Sequence, residues 1–460
     1  MAIALKNRRV VTVAPETTRG TFVAPNPTAD ALPMVRECTF TIEPIVVERP
    51  TLRLSLTPYP KIYPGVAKLK ISMLMELHGI PGNPATNYGS PVWSDLMRAC
   101  GMFETSNAGS TSGFGGSYAP IVSSPRIYTG FTAMTGGTNN GTPLRHGETV
   151  SVAYATTGGP IAGTVVGDTY FDDDMVVINE SSGTAGTGAI TITGATSGKA
   201  TSAGTVVRNA NKVVAFRQRS DVNLMETASM EVYLDGKRVQ GRGMMGSFDL
   251  QMTHGDAVKA RFEMQGIEHT YGDQAMPATP NEAHFVPPTF LGKDIRLSYW
   301  DGAATRVYGK DTAGALSLGA INALSIGPGN GVILRENSFD AAGISFALIT
   351  SRAGTGRFNP DEVLSGTPDN YDFINRFVAG QTFRLRAFLG SKQGDGAAFP
   401  NDGNSFDIVA PGLVFSGMAD QDRDGINVWD AQFALSGGDY DSTASGELPG
   451  NDNEFTLIYR

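Results

Sequence analysis

Charge is scarce in this chain: only 18% of its 460 residues are Asp, Glu, Lys or Arg, against roughly a quarter in ordinary soluble domains. Much of the surface is therefore expected to lie against other subunits. A Gly/Thr-rich β-protein, which also dilutes charge, is the plainer reading. The formal net charge of −9 argues against a protein that grips DNA through its phosphates, since that needs clustered Lys and Arg. It leaves room for nucleic acid that passes by without being held. The two cysteines, Cys38 and Cys100, are too few for a disulfide framework and are expected as buried thiols. No apolar run approaches the roughly 20 residues of a membrane-spanning helix, and Met1 to Arg9 carries no signal-peptide pattern. Synthesis in a reducing cytoplasm is the expectation.

Chemistry is equally sparse. The five histidines (His78, His146, His254, His269 and His284) stand in no metal-ligand spacing with one another or with cysteine. Asp420-Gln421-Asp422-Arg423-Asp424-Gly425 opens like a calcium loop, yet Ala431 holds the place of the bidentate Glu, so a polar hairpin is favoured. Phe171-Asp172-Asp173-Asp174 is expected as a solvated turn. The Gly-rich runs at 113–116 and 327–331 lack the Lys-Ser/Thr of a phosphate cradle, and Gly-x-Ser-x-Gly does not occur. No cofactor is implied, and the chain is not expected to be an enzyme.

What the chain does have is internal duplication. Thr39-Phe40-Thr41-Ile42-Glu43-Pro44, leading through Val46-Val47 to Arg49, is echoed by Leu324-Ser325-Ile326-Gly327-Pro328 and Val332-Ile333-Leu334-Arg335. The alternating strand Lys70 to Glu76 is matched to Gly343 to Ile349. Short helices follow, Trp93 to Gly101 and Tyr371 to Gly380, with apolar stripes (Trp93, Leu96, Met97, Cys100; Phe373, Ile374, Phe377) suited to lie on a sheet. Arg98 and Arg376 fall at equivalent places. Gly246 to Leu250 answers Asn404 to Ile408, and Arg261 to Gly266 answers Gln432 to Gly437.

The organisation read from these patterns has five parts. Residues 1–35 are an irregular arm of turn chemistry, expected to order against a neighbour. Residues 36–121 and 217–270 make a first, discontinuous β-domain. Residues 122–216 interrupt it with short strands and polar turns, a small β-sandwich or barrel inserted at a loop tip. Residues 271–290 are a Pro-stiffened linker, and 291–460 a second copy of the domain, closed by a strand at Glu454 to Tyr459. Between Pro50 and Pro64 lies an extended loop with Arg53, Tyr59, Lys61 and Tyr63 as anchors. The fold class is mainly β: two tandem sandwich domains, each with a short flanking helix, plus the insert.

Several runs, in order, resemble the tail tube (major tail) proteins of long-tailed, non-contractile bacteriophages and related gene transfer agents. They are Glu16-Thr17-Thr18-Arg19-Gly20-Thr21, Glu48-Arg49-Pro50, Leu74-Met75-Glu76-Leu77-His78-Gly79 running into the Trp93 helix, Tyr233 to Arg238, Gly243 to Phe248, and Gly425 to Asp430. The resemblance implies tail-tube-type β-sandwiches whose inner strands join into a continuous barrel, in stacked rings of six units. Two units per chain then imply a trimer with pseudo-sixfold symmetry, a hexamer being the alternative. It implies that Arg53, Tyr59, Lys61 and Tyr63 in the long loop, and Arg19 and Phe22 in the arm, reach the next ring. The insert becomes an outside decoration of immunoglobulin-like type. Implied partners are the chain itself, the tape measure protein and double-stranded DNA in the lumen, and the tail terminator and distal tail proteins. The site is the virion tail, assembled in the host cytoplasm, with no membrane insertion. Glu76, Glu231, Asp249, Glu263 and Asp407 are expected to include acidic groups facing the lumen. Two other readings compete: a carbohydrate-binding adhesin, favoured by the Gly/Thr-rich strands, and a glycan hydrolase, which would need two facing carboxylates.

Overall fold

The computed structural model describes residues 9–46, 67–79, 82–83, 87–88, 90–105, 124–129, 134–135, 144, 148–165, 175–195, 198, 200–201, 206–212, 214–280, 288–290, 295–300, 305–308, 321–340, 343–362, 373–389, 406–436 and 454–459. The described chain is mainly β and antiparallel. Its first part holds β1 (Arg9–Pro15), the one-turn helix α1 (Pro27–Asp30), β2 (Met34–Pro44), β3 (Ala67–Glu76), the short pair β4 (Gly82–Asn83) and β5 (Asn87–Tyr88), α2 (Ser94–Ala99) and β6 (Met102–Thr105). Then come the insert strands β7 (Ser124–Thr129), β8 (Met134–Thr135), β9 (Thr149–Tyr154), β10 (Ile161–Val165), β11 (Met175–Ser182), β12 (Ile190–Gly194), β13 (Ala200–Thr201) and β14 (Val207–Lys212). The first part resumes with β15 (Val214–Gln218), β16 (Ala228–Leu234), β17 (Lys237–Thr253) and β18 (Lys259–Asp273). The second part holds β19 (Ile295–Trp300), β20 (Thr305–Tyr308), β21 (Ile321–Gly327), β22 (Asn330–Glu336), β23 (Ile344–Arg352), β24 (Thr355–Pro360), α3 (Phe373–Val378), β25 (Thr382–Leu389), β26 (Phe406–Arg423), β27 (Ile426–Ser436) and β28 (Thr456–Tyr459).

Six strands of each half are laid down in one topology. In the first half the hydrogen-bonded order is β1-β16-β17-β18-β3-β2; in the second it is β19-β25-β26-β27-β24-β21. Numbered along the chain, both read 1-4-5-6-3-2. The halves meet where β17, a fifth strand, pairs with β21, a second strand, from Leu250↔Ile326 to Thr253↔Ala323. One sheet thus runs from β2 to β20. Its strands alternate because one face is buried: in β3, Leu69, Ile71, Met73 and Met75 enter the core while Lys68, Lys70, Ser72, Leu74 and Glu76 point away. Phe248 faces Phe262 across the ladder as Phe415 faces Phe433. Phe415, rather than Phe406, therefore holds Phe248's place in the second copy.

The core fills the other face. Trp93 packs between Phe216 and Tyr459, with ring centroids 5.3 and 4.6 Å away, and its Nε1 donates to the His78 carbonyl at 3.2 Å. The last strand, β28, pairs with β15 of the first half and β26 of the second, so it ties the halves together on this side. Helix α2 buries Leu96, Met97 and Cys100 as its stripe predicts and ends on Gly101, whose φ of +77° suits glycine.

Several expectations are corrected. The counterpart of β3 by position in the sheet is β24, whereas β23, matched to it by alternation, pairs only with β22 in a hairpin. Part of the predicted arm is a strand: β1 pairs with β16 along its full length, and Val11 and Val13 are buried. The linker is pinned at its end, where Gly255 N donates to the Phe290 carbonyl at 2.9 Å. Of the second helix stripe, Phe377 is 36% exposed, and the side chains of Phe373 and Ile374 lie outside the described residues.

The insert strands form their own eight-stranded sheet, ordered β14-β7-β11-β10-β9-β12-β13-β8, around a separate core of Tyr128, Val150, Val152, Ile178 and Ile192. It grows from a hairpin: β6 and β15 pair directly, Phe103 opposite Arg217. β15 therefore belongs to the main sheet, although residues 214–216 were expected within the insert.

Candidate assembly interface

The junction between the halves is more than a ladder. Asn330, opening β22, donates from Nδ2 to the carbonyls of Cys100 (2.7 Å) and Gly246 (3.0 Å), and its amide donates to Ser247 Oγ at 3.1 Å. The β22–β23 hairpin then crosses onto the first half, where Ala347 and Ile349 pack with Met225 and Met245, flanked by Val332 and Leu334. Gln265 Nε2 donates to the Val332 carbonyl at 2.5 Å. At its far end Arg352 donates to Ser220 Oγ (2.9 Å) and to the Arg219 carbonyl, and it pairs with Glu454 at 3.5 Å.

A buried carboxylate locks the N-terminal segment into the same joint. Glu16 is 3% exposed. Its Oε2 accepts from the Gly20 amide and Thr227 Oγ1, both at 2.6 Å, and its Oε1 from Ser229 Oγ at 2.9 Å and the Gly243 amide at 2.7 Å. Gly20 and Gly243 have φ of +73° and +60° and lie against Ser345 and Phe346 of the hairpin; a Cβ on Gly20 would overlap the Ser345 carbonyl oxygen. Arg19 donates to the carbonyls of Val222 (2.5 Å) and Met225 (2.6 Å), and Arg19 and Arg335 both sit over the Phe346 ring. Phe22 stacks on His269 at 4.4 Å. Arg19 and Phe22, expected to reach another ring, are thus engaged within their own chain. Glu16 and its two glycines escaped role assignment because only their clustering, invisible in the sequence, gives them one.

The five acidic candidates separate. Asp407 (0% exposed) pairs with Arg386 at 3.4 Å, and Glu231 (1%) accepts from Tyr233 Oη and Gln240 Nε2, both at 2.6 Å. Burial removes both from any solvent-facing set. Glu76, Asp249 and Glu263 share the outward face of the continuous sheet, but that face is mixed. Lys259 stands opposite Glu76, Arg261 opposite Asp249, and Lys70 and Arg357 lie on the same side. Burial raises the Asp249 pKa, partly offset by the hydrogen bond from Gln251 and by Arg261. Arg53, Tyr59, Lys61 and Tyr63 lie outside the described residues.

Arg98 sits in an ion-pair cluster beside α2. It pairs with Asp95, with Glu226 at 3.6 Å and with Glu104 at 3.9 Å. Burial pushes the Asp95 pKa up to about 6; Arg98 opposes the shift and Glu104 and Glu226 add to it. Measured from the terminal glycines Gly101 and Gly380, however, it is Phe377 and not Arg376 that takes Arg98's place in α3. Asp424 and Gly425, both at positive φ, make the two-residue turn between β26 and β27. The calcium-like motif is therefore a hairpin tip.

Among the described residues no group of three or more metal-ligating side chains comes together, and no helix is long and apolar enough to cross a membrane. Among the described residues β1, β2, β6 and β20 each form a ladder on one side only, and stretches of longer strands do too. Among these are β2, bonded to β3, and β26 beyond Val414, bonded to β27. No protein-family model matches the chain, and no curated protein does.

Proposed function

We propose that this chain is the structural subunit of a phage tail tube, two tail-tube-type β-sandwiches in tandem with an outward, immunoglobulin-like decoration. The observation that carries the reading is the strand order 1-4-5-6-3-2 in both halves, joined fifth strand to second. A unit that joins its copy this way leaves a second strand open at one end and a fifth strand at the other. Such a head-to-tail contact closes into rings or runs on as a filament, and closure removes the edge liability. Three chains would close a pseudo-sixfold ring; six chains are the alternative.

In this reading rings stack into a tube in the virion tail, assembled in the host cytoplasm. Double-stranded DNA and the tape measure protein occupy the lumen, and the tail terminator and distal tail proteins cap the ends. The sheet face bearing Glu76, Asp249 and Glu263 lines the channel. Its alternation of both signs gives DNA neither a cationic track to adhere to nor a wall of repulsion. Negative-stain microscopy of the purified chain tests the reading. Rings or hollow tubes are expected; dispersed monomers at high concentration would refute it.

A further inference from the structure

The two halves share a topology but not an environment. In the first half the fifth strand, β17, is covered along its edge by β21. In the second half the edge of the equivalent strand, β26, carries exposed Ser416, Ala419, Asp420 and Gln421. The C-terminal end of α2 is sealed: Ala99 is 1% exposed, the Cys100 carbonyl receives Asn330, and Gly101 abuts Ile349. At the matching end of α3, Val378 takes Ala99's place at 78% exposed, next to exposed Phe377 and Gly380. The covering elements show the reverse asymmetry. Val332, just after β21, is packed against Met225 and Met245, whereas Val46, just after β2, is 36% exposed.

Each uncovered surface in the second half is therefore the counterpart of one that β21 and the chain after it cover in the first. Among the described residues the equivalents of those covering elements, β2 and Pro44 to Val46, have no strand against their free edge. We infer that the β26 edge and the C-terminal end of α3 are the docking site for β2 and the chain leaving it in a second copy of this protein, in the geometry of the β17–β21 junction. The inference deepens the tube reading and rests on its head-to-tail contact, but it fixes which edges meet. It predicts that Ala419, which stands on the outward face like Gln251 of β17, lies diagonally across from Thr39, which is level with Gly327 of β21, with Thr41 two residues further along the same face.

Cysteine cross-linking tests this without disturbing the fold, because the native Cys38 and Cys100 are buried and the replaced positions are exposed. Chains carrying Ala419→Cys are mixed with chains carrying Thr39→Cys or Thr41→Cys and oxidised. The directly opposed pair Gln251→Cys with Ser325→Cys serves as the within-chain control. Mixed cross-linked dimers at least tenfold above either same-site dimer are expected in one of the two pairings. Val378→Asp, at an exposed position, should weaken self-association at least tenfold while leaving the circular dichroism spectrum unchanged. Assemblies whose cross-links join other positions would overturn the inference and leave the tube reading standing. Mixed cross-links in particles that never stack would uphold it and refute the tube. A wild-type chain that stays monomeric, or a Val378→Asp chain that assembles like wild type, would remove the proposed surface.

Discussion

Glu16 is the strongest single test of how the chain is held together. Its carboxylate is buried and accepts four hydrogen bonds from two backbone amides and two hydroxyls. A hydrogen bond to a charged group nets about 1.5–3 kcal/mol, and a buried donor left unmatched costs about 1–3 kcal/mol. The hydroxyls of Thr227 and Ser229 can turn elsewhere; the amides of Gly20 and Gly243 are fixed by their backbones. Glu16→Ala should therefore lose about 3–5 kcal/mol, in line with removing one partner from a buried charged network. Glu16→Gln keeps one acceptor oxygen but aims an NH2 at donors, so a loss of about 1–3 kcal/mol is expected. Urea unfolding followed through tryptophan fluorescence reads the effect, since Trp93 lies in the same core as Val11 and Val13. Ser229→Ala should cost less in the Glu16→Ala background than alone, because its partner is already gone. An alanine variant within about 0.5 kcal/mol of wild type, the range of ordinary surface changes, would refute the assignment.

Gly20→Ala must hold alanine at φ +73° and displace the β22–β23 hairpin; a loss above about 2 kcal/mol is expected by the same unfolding assay. Asp95 has a folded pKa of about 6, above its unfolded value, so the folded state binds its proton more tightly. Its contribution to stability therefore rises as pH falls through about 6 toward 4, and Asp95→Asn should flatten that slope in a pH series of unfolding midpoints. Excising the insert strands and joining β6 to β15 by a short Gly-rich turn should leave a folded main sheet, because these strands already pair; an insoluble product would refute the separateness of the two cores. Glu76→Lys with Glu263→Lys turns the mixed face basic. Under the proposed function it should slow genome delivery while tubes still form, and unchanged infectivity would count against that face lining the channel.

The duplication was legible wherever both copies carry bulky alternating residues, as in Phe262 with Phe433, but the match of Ile42 to Ile326 slips by four residues, because the ladders through β3 and β24 set Ile326 level with Cys38. It was misread at β24, Thr355-Gly356-Arg357-Phe358-Asn359-Pro360, because glycine and proline make a poor strand by propensity and only its neighbours β21 and β27 hold it in the sheet. The better-patterned Ile344 to Ile349 drew the match instead. Period-2 alternation also could not tell Glu231 and Asp407 from outward acids, since buried strands admit polar groups that find partners. Glu16 illustrates the remaining gap. Its role depends on residues more than two hundred positions away, and no local pattern encodes such a meeting.

Under the proposed function, fusing two units in one chain would change the physics of ring formation. The β17–β21 junction and the hairpin across it form within a molecule, so half the lateral contacts avoid the roughly 4–15 kcal/mol cost of bringing separate bodies together. Fusion also frees the copies to diverge. The first carries the insert, grown from the β6–β15 hairpin, and among the described residues the helix end of the second is exposed where that of the first is covered. An assembly of such chains can keep a near-sixfold sheet while repeating its exterior threefold, with inserts on alternate units. Spacing bulky insertions this way relieves crowding between neighbours without touching the strands that join them.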